Sequence, residues 1–417
     1  MFEGLKKYFD KTQWVILLSV IGPGIITAAV DNDPGGITTY SVAGSHYGYL
    51  LLWTIIPIII ALILIQEMAS RMGIVSGKGL ADLIRENFGL RVTFYVMLLL
   101  VIVNFGNVLS EFAGIAAAGE IFGITRYIVI PICAVGIWLL VVYGNYKIIE
   151  RVFLVASVVY ISYIISGLLA RPPWGEVLIQ IVTPHVVWKP DYFIIIMGLI
   201  GTTIAPWMMF YLQSSIVEKG LKTSDLKFSR IDVVSGSIVT GIVAFFIIVA
   251  CALTLYVNHI PVDTAEAAAR ALFPLAGTYA AMLFAFGLFN AGVFSAAILP
   301  LSTAYSVCEG LGWESGVNKS FKEAPQFYFL ITFLIVAGAG VILIPGMPLI
   351  KIMIISQVLN GILLPIILIY MLRLSSNHKI MGEHANTRTF NIITWFICIL
   401  IIVLTAFLTL SYFVNFG

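Results

Sequence analysis

The chain has 417 residues, of which 60% are hydrophobic and 11% charged, with a net charge of +2 and a mean hydropathy of +1.03. Soluble domains carry about 25% charged residues, so the composition excludes a water-soluble globule, a disordered chain and a small disulfide scaffold. The near-neutral balance provides no field for nucleic acid.

Eleven apolar stretches are long enough to cross a bilayer as helices, which takes about 20 residues each. In chain order they run 14–45, 49–74, 91–119, 125–144, 151–170, 191–218, 231–257, 277–308, 325–345, 348–373 and 389–415. They are continuous rather than alternating at every second residue, so helices are expected and barrel strands are not. No small-residue cleavage site follows the first stretch, which is therefore read as a retained helix. Cys133, Cys251, Cys308 and Cys398 all lie in apolar stretches without CxxC spacing and read as small hydrophobic groups.

Eighteen of the 23 Lys and Arg fall in the segments on one side of this arrangement. Only Arg126, Arg171, Lys189, Arg270 and Lys351 fall on the other. The positive-inside rule then places the N-terminus in the cytoplasm and, after eleven spans, the C-terminus outside. The compact loops fit the inner (plasma) membrane of a bacterium. Glu67 and Arg71, four residues apart at the cytoplasmic end of the second stretch, read as a local ion pair with snorkelling ends. VSGKGLADLIRENFG after it reads as a short loop with no phosphate-binding pattern. SGSIV around Gly236 reads as helix-packing surface.

Two stretches contain helix breakers at bilayer depth: DNDPGG (Asp31 to Gly36) and TTIAPW (Thr202 to Trp207). Proline removes a backbone donor, and freed backbone groups in a membrane must be buried in protein or line a wet cavity. The breaks lie five spans apart, as expected of a secondary transporter with inverted repeats and a midplane site. The expected organisation is one transmembrane domain, with repeats over 14–170 and 191–373 and an additional helix over 389–415.

GPGIITAAVDNDPGGITTYS resembles the first helix of the natural resistance-associated macrophage protein (NRAMP) metal transporters. YGYLLLWTIIPIIIALILIQEMASRMGIVSGKGLADLIRE resembles their second helix and following loop. LFAFGLFNAGVFSAAI resembles their eighth helix, and SQVLNGILLPIILIYMLR with HKIMGE their tenth. The likeness runs from Trp14 to Glu383. It implies an all-α leucine-transporter-type fold in which helices 1 and 6 are broken and hold a divalent metal as cargo. No resident cofactor and no obligate protein partner are implied, only the ion and the lipid bilayer.

The departures from the family pattern bear on the cargo. By resemblance the metal ligands map to Asp33, Gly36, the Thr202 carbonyl and Ala205. Gly36 stands where the family has Asn, and Ala205 where it has a Met thioether. Trp207 replaces a His. Glu111 is kept, while its companion Asp is Val108. Thioethers favour transition metals over hard cations, so Ala205 removes the reason to prefer Mn²⁺ or Fe²⁺. Mg²⁺ is usually held by one or two carboxylates and several retained waters. The expected cargo is therefore partly hydrated Mg²⁺, with Mn²⁺ as an alternative, as in the Mg²⁺-transporting branch related to NRAMP proteins.

Each candidate has a plainer alternative. Asp33 in an apolar stretch costs at least ~2.5–3.5 kcal/mol to insert, which points to function, yet Asp also caps helices. Asp31 either adds negative potential to an ion path or pairs locally. Thr202 offers a freed carbonyl and a spare hydroxyl. Gln357 is expected to bond the ion's hydration shell, and Asn360 to join helices. Asn107 and Asn290 are further candidates. Glu111 lacks the Asp and His companions of a proton relay and no His lies mid-span, so uncoupled, voltage-driven transport is expected. The rivals are a proton-coupled Mn²⁺/Fe²⁺ transporter, an organic-solute carrier on the same fold, a channel and an intramembrane enzyme. Ala205, Gly36 and Trp207 oppose the first, and Asp33 would repel the carboxylate of the second. No filter sequence supports the third, and no catalytic set was found for the fourth.

Overall fold

The structure is a computed structural model that describes residues 30, 32–143, 161–317 and 319–414. Among these no strand occurs. The principal helices are α1 (Pro34–Tyr47), α2 (Ile55–Ser76), α3 (Leu80–Phe88), α4 (Leu90–Ile121), α5 (Arg126–Tyr143), α6 (Ile161–Leu169) and α7 (Trp174–Val182). They continue as α8 (Pro190–Thr203), α9 (Pro206–Glu218), α10 (Leu226–Cys251), α11 (Ala280–Leu311), α12 (Pro325–Ile342), α13 (Leu349–Ser375) and α14 (Arg388–Val414).

Nine helical stretches among the described residues are long and apolar enough to cross a membrane. The other two expected spans, 14–45 and 151–170, lie partly outside the described residues; α1 and α6 are their described portions. The expected span 191–218 is divided into α8 and α9 at Ile204 and Ala205, as its Pro206 requires.

Two local expectations are corrected. VSGKGLADLIRENFG is not simply a loop, because α3 forms within it as an amphipathic helix too short to span. A similarly short α7 follows α6. Arg71 does not snorkel. It is 5% exposed, keeps its Glu67 partner at 3.1 Å, and donates to the His384 carbonyl and, at 2.7 Å, to Asn386 Oδ1. Its guanidinium also sits 5.3 Å from the centre of the Phe390 ring. An apolar wall on that side rewards a fork with several partners more than a charge in water.

The core is built on α4, which packs most extensively against α11 and α13, while α8 lies along α13. α1 is enclosed by α10, α13, α8 and α4. α2 packs on α9 and α10, and α14 lies outside against α13 and α8. α14 presents Ile392, Phe396, Ile399 and Val403 outward, as a lipid-facing helix should. Small residues allow the inner helices to meet. A Cβ on Gly201 of α8 would fall 1.9 Å from the Gln357 carbonyl oxygen and 2.5 Å from the Gly361 nitrogen, both on α13.

Candidate metal-ion site

The first helix break fixes an acid. Pro34 has no N–H to return to the Val30 carbonyl, so the Asp33 N–H bonds it at 3.0 Å instead. Asp33 is the N-cap of α1, and its Oδ1 accepts the Gly36 N–H at 2.5 Å. Its Oδ2 faces the Gln357 Nε2 at 3.4 Å. One oxygen therefore caps the broken helix while the other faces across to α13, and the two sequence readings of Asp33 do not compete. Asp31 lies outside the described residues.

The second break supplies neutral oxygen. Pro206 has no N–H for the Thr202 carbonyl four residues earlier, so that carbonyl loses its helical donor. Thr202 is buried, and its Oγ1 has no hydrogen-bond partner among the described residues. Ala205 caps α9 with a methyl and no side-chain bond. Met208, one turn on, turns its sulfur to Gln66 Nε2 at 3.7 Å. Trp207 is buried and packs its ring against Tyr211 at 6.0 Å between centroids.

Glu111 brings a second carboxyl. It is fully buried in α4, its carboxyl lies beside that of Asp33, and neither of its oxygens has a hydrogen bond of ordinary geometry among the described residues. Two neighbouring carboxyls enclosed in an apolar bundle can sit together only with a proton or a cation between them. Glycines set this approach. A Cβ on Gly114 would come 2.3 Å from Pro34 Cβ, and one on Gly292 of α11 would come 3.0 Å from the Glu111 carbonyl oxygen.

From Asp33 a buried chain of neutral groups leads away through the bundle. Asn360 Nδ2 donates to Gln357 Oε1 and to Asn107 Oδ1, each at 2.9 Å. Asn107 Nδ2 returns a bond to Asn360 Oδ1 at 3.0 Å and lies 3.4 Å from Asn104 Oδ1. Asn104 Nδ2 donates to Thr303 Oγ1 of α11 at 2.8 Å. The structure thus joins Asp33, Glu111, Gln357, Asn107 and Asn360. Asn290 is half-buried on α11, and no hydrogen bond among the described residues joins it to this group. Asn104 and Thr303 were not singled out from sequence. Asn104, Asn107 and Glu111 nevertheless stand at helical spacing in an otherwise apolar run, which is a polar stripe that could have found Asn104.

Interrupted helices that offer freed ends and buried oxygen donors, both set against α13 here, are the ion-site architecture of secondary transporters. Comparison with known proteins agrees with that class. The sequence profile described as natural resistance-associated macrophage protein-like matches residues 24–411, and the chain belongs to that family. It is 26% identical to the divalent metal cation transporter MntH of Bacillus subtilis over 409 residues, which is 95% of this chain and 93% of the relative. In fold it is similar to the manganese transporter of Eremococcus coleocola, with a TM-score of 0.79 and 22% identity over 95% of this chain and 87% of that one. It is also similar to Mhp1, a nucleobase-cation-symport-1 family transporter, with a TM-score of 0.60 and 14% identity over 93% and 92% of the two chains. The fold is therefore the leucine-transporter type, and the chain is a multi-pass membrane transporter, not an enzyme.

Proposed function

We propose that this chain imports divalent metal ions, that Mg²⁺ is its preferred cargo, and that it works by alternating access without a coupled proton. The supporting observation is the donor set. Asp33 and Glu111 bring carboxyl oxygens and Gln357 an amide, and by the family resemblance Thr202 of the second break adds a freed carbonyl and its unpartnered hydroxyl. Gly36 and Ala205 bring no side-chain ligand, and the sulfur of Met208 is engaged with Gln66. Oxygen-only donors suit hard cations, and Gly36 and Ala205 take less room than the family's Asn and Met, which suits an ion that keeps part of its water. The Bacillus relative is named for divalent metal cations and the Eremococcus protein for manganese. By the resemblance to the family pattern, this chain keeps the acid of helix 1 as Asp33 and departs at the soft-ligand position, Ala205.

The reading without a proton relay is supported, among the described residues, by α4 and two of its neighbours. α5 and α12 contain no Asp, Glu or His. The only other acid of α4, Glu120, pairs with Arg126 at the far end, at 2.6 Å. Val108 packs where a Cβ on Gly338 of α12 would come 2.7 Å from its Cγ1. Voltage suffices as a drive, because a double charge gains about 4.6 kcal/mol per 100 mV. The basic end of the bundle is taken as cytoplasmic, and segments 14–170 and 191–373 as the repeats that rock about the site.

The test uses purified protein in vesicles with an internal pH dye and an imposed inside-negative potential. Saturable Mg²⁺ uptake without acidification, lost in Asp33→Ala, is the expected result. The double substitution Gly36→Asn/Ala205→Met should shift preference toward Mn²⁺ by about tenfold or more, or ~1.4 kcal/mol. Mn²⁺ uptake with acidification and no Mg²⁺ uptake would overturn the magnesium and uncoupled assignments. No metal flux at all would turn attention to an organic solute.

A further inference from the structure

A cavity of about 620 Å³ opens at the basic end, between α3, α9, α11 and the segment after α11. We propose that it holds a second divalent cation, still wrapped in water, between Glu309, Asp82 and Glu218. This rests on the proposal that the chain carries divalent metal ions, and it does not depend on which one.

The charges that face the cavity are unbalanced. Asp82, Glu218, Glu309 and Glu314 line it, with Arg85 as the only Lys or Arg among the described residues that do. Arg85 is committed to Asp82 Oδ1 at 2.9 Å and to the Glu309 carbonyl at 3.0 Å. Glu314 is paired with Lys319. Glu218 forms no ion pair among the described residues, and neither does Glu309. Glu309 is held in place instead: Ser214 Oγ donates to its Oε2 at 3.1 Å, and its Oε1 lies where a Cβ on Gly79 would come within 1.5 Å. Three separate elements thus deliver carboxyl groups to one space.

An independent observation points the same way. Ser302 lines the cavity, is 2% exposed, and its Oγ has no hydrogen-bond partner among the described residues. An enclosed hydroxyl beside a polar, roomy space is a binding partner for water or for a hydrated ion. Ser302 also belongs to a stripe on α11, Gly292, Ser295, Ser302, Ser306 and Glu309, at spacings of 3, 7, 4 and 3 residues. Such spacings keep one helical face. Its other end, Gly292, lies close to the central site, where a Cβ on it would come 3.0 Å from the Glu111 carbonyl oxygen and 3.4 Å from Pro34 Cγ. The facing helix α9 brings Tyr211, Ser214, Ser215 and Glu218 to the cavity, again at helical spacing, and starts beside Ala205. Thirteen residues of helix put Glu218 ~20 Å from the central break.

Water must remain on the ion. Among the described residues no three His, Cys, Asp or Glu side chains converge closely enough to ligate a metal directly. The cavity volume is many times the ~30 Å³ of a liquid water, so carboxylates would act on the hydration shell. Weak, outer-sphere holding also suits a waystation, from which the ion must leave.

Mn²⁺ electron paramagnetic resonance titration of the purified full chain in micelles tests this. Two bound Mn²⁺ per chain are expected, of unequal affinity. Asp33→Ala should abolish one and leave the other. Adding Glu309→Gln to that variant should abolish the remaining one, and adding Glu218→Gln should weaken it several-fold. Should the Glu309 variant fail to fold, the Glu218 variant carries the decision. One bound Mn²⁺ in the wild type, lost in Asp33→Ala, would overturn the second site while leaving the transport proposal intact. A second Mn²⁺ indifferent to both glutamates would overturn it equally. No Mn²⁺ binding at all would defeat the divalent proposal itself.

Discussion

Replacing Gly35 by alanine tests whether the Gln357 amide contributes to ion binding. The new Cβ would lie 1.9 Å from Gln357 Nε2, and 2.8 Å from both Gln357 Cδ and Ser110 Oγ. These nearest atoms all belong to side chains, so the amide swings aside rather than the helices separating. Swinging breaks its 3.4 Å contact with Asp33 and its 2.9 Å bond from Asn360. A hydrogen bond to a charged group contributes about 1.5–3 kcal/mol. At this length the lower value applies, which amounts to roughly tenfold in ion affinity. The assay is the concentration dependence of Mg²⁺ uptake into vesicles, with thermal unfolding in micelles as a control for folding. Gln357→Ala should produce a similar loss, and Gly35→Ala/Gln357→Ala should be no worse than Gln357→Ala alone, because the clash partner is gone. That non-additivity is the signature of a shared contact. Strictly additive losses, or a Gly35→Ala protein with wild-type KM, would refute the reasoning.

Gly201→Ala should behave quite differently from Gly35→Ala, because its Cβ meets the backbone of α13. A loss above about 4 kcal/mol, seen as failure to express or a collapsed melting temperature, is expected. The reciprocal pair Asn107 and Asn360, bonded at 2.9 and 3.0 Å, should show a coupling of about 0.6–1.7 kcal/mol in a double-mutant unfolding cycle. A coupling of zero would mean that the amides act independently. Arg71→Ala should cost about 3–5 kcal/mol of unfolding free energy, since it leaves Glu67 half of its partners and empties a buried clamp. Arg71→Lys should not restore it, because an ammonium cannot reach Glu67, His384 and Asn386 together. Finally, the rate of Mg²⁺ uptake should follow membrane potential and stay flat across neutral pH; a rate that tracks an imposed proton gradient at fixed voltage would contradict uncoupled transport.

The breaks were legible because proline and glycine have few uses at bilayer depth. Asp33 and Gln357 were legible because polar groups are costly there. What sequence could not supply was adjacency between distant segments. Glu111 reads alone as an isolated structural acid; only the close approach of α4 to α1, permitted by Gly114, puts it beside Asp33. Arg71 illustrates the same limit, since its other partners are more than 300 positions away. The amphipathic α3 escaped because a search for bilayer-length apolar runs passes over a nine-residue helix. The cavity beneath the site escaped for a different reason. Its acids come one each from α3, α9, α11 and the segment after α11, and no local pattern announces them.

The neutrality of the chain behind Asp33 bears on how the carrier is driven. Gln357, Asn360, Asn107, Asn104 and Thr303 are all buried and hydrogen-bonded to one another. Each holds its neighbour in orientation, yet none can release or take up a proton at physiological pH. A relay built of carboxylates and imidazoles would perform both tasks; this one performs only the first. Under the proposed uncoupled mechanism, the free energy available per cycle is the ion gradient plus the work of the membrane potential. For a divalent ion that work is about 4.6 kcal/mol per 100 mV, equivalent to roughly 2,000-fold accumulation. A binding site tight enough to strip the ion of all its water would hinder release against such a gradient. Few charged ligands backed by neutral amides are the composition that the proposed voltage-driven mechanism requires.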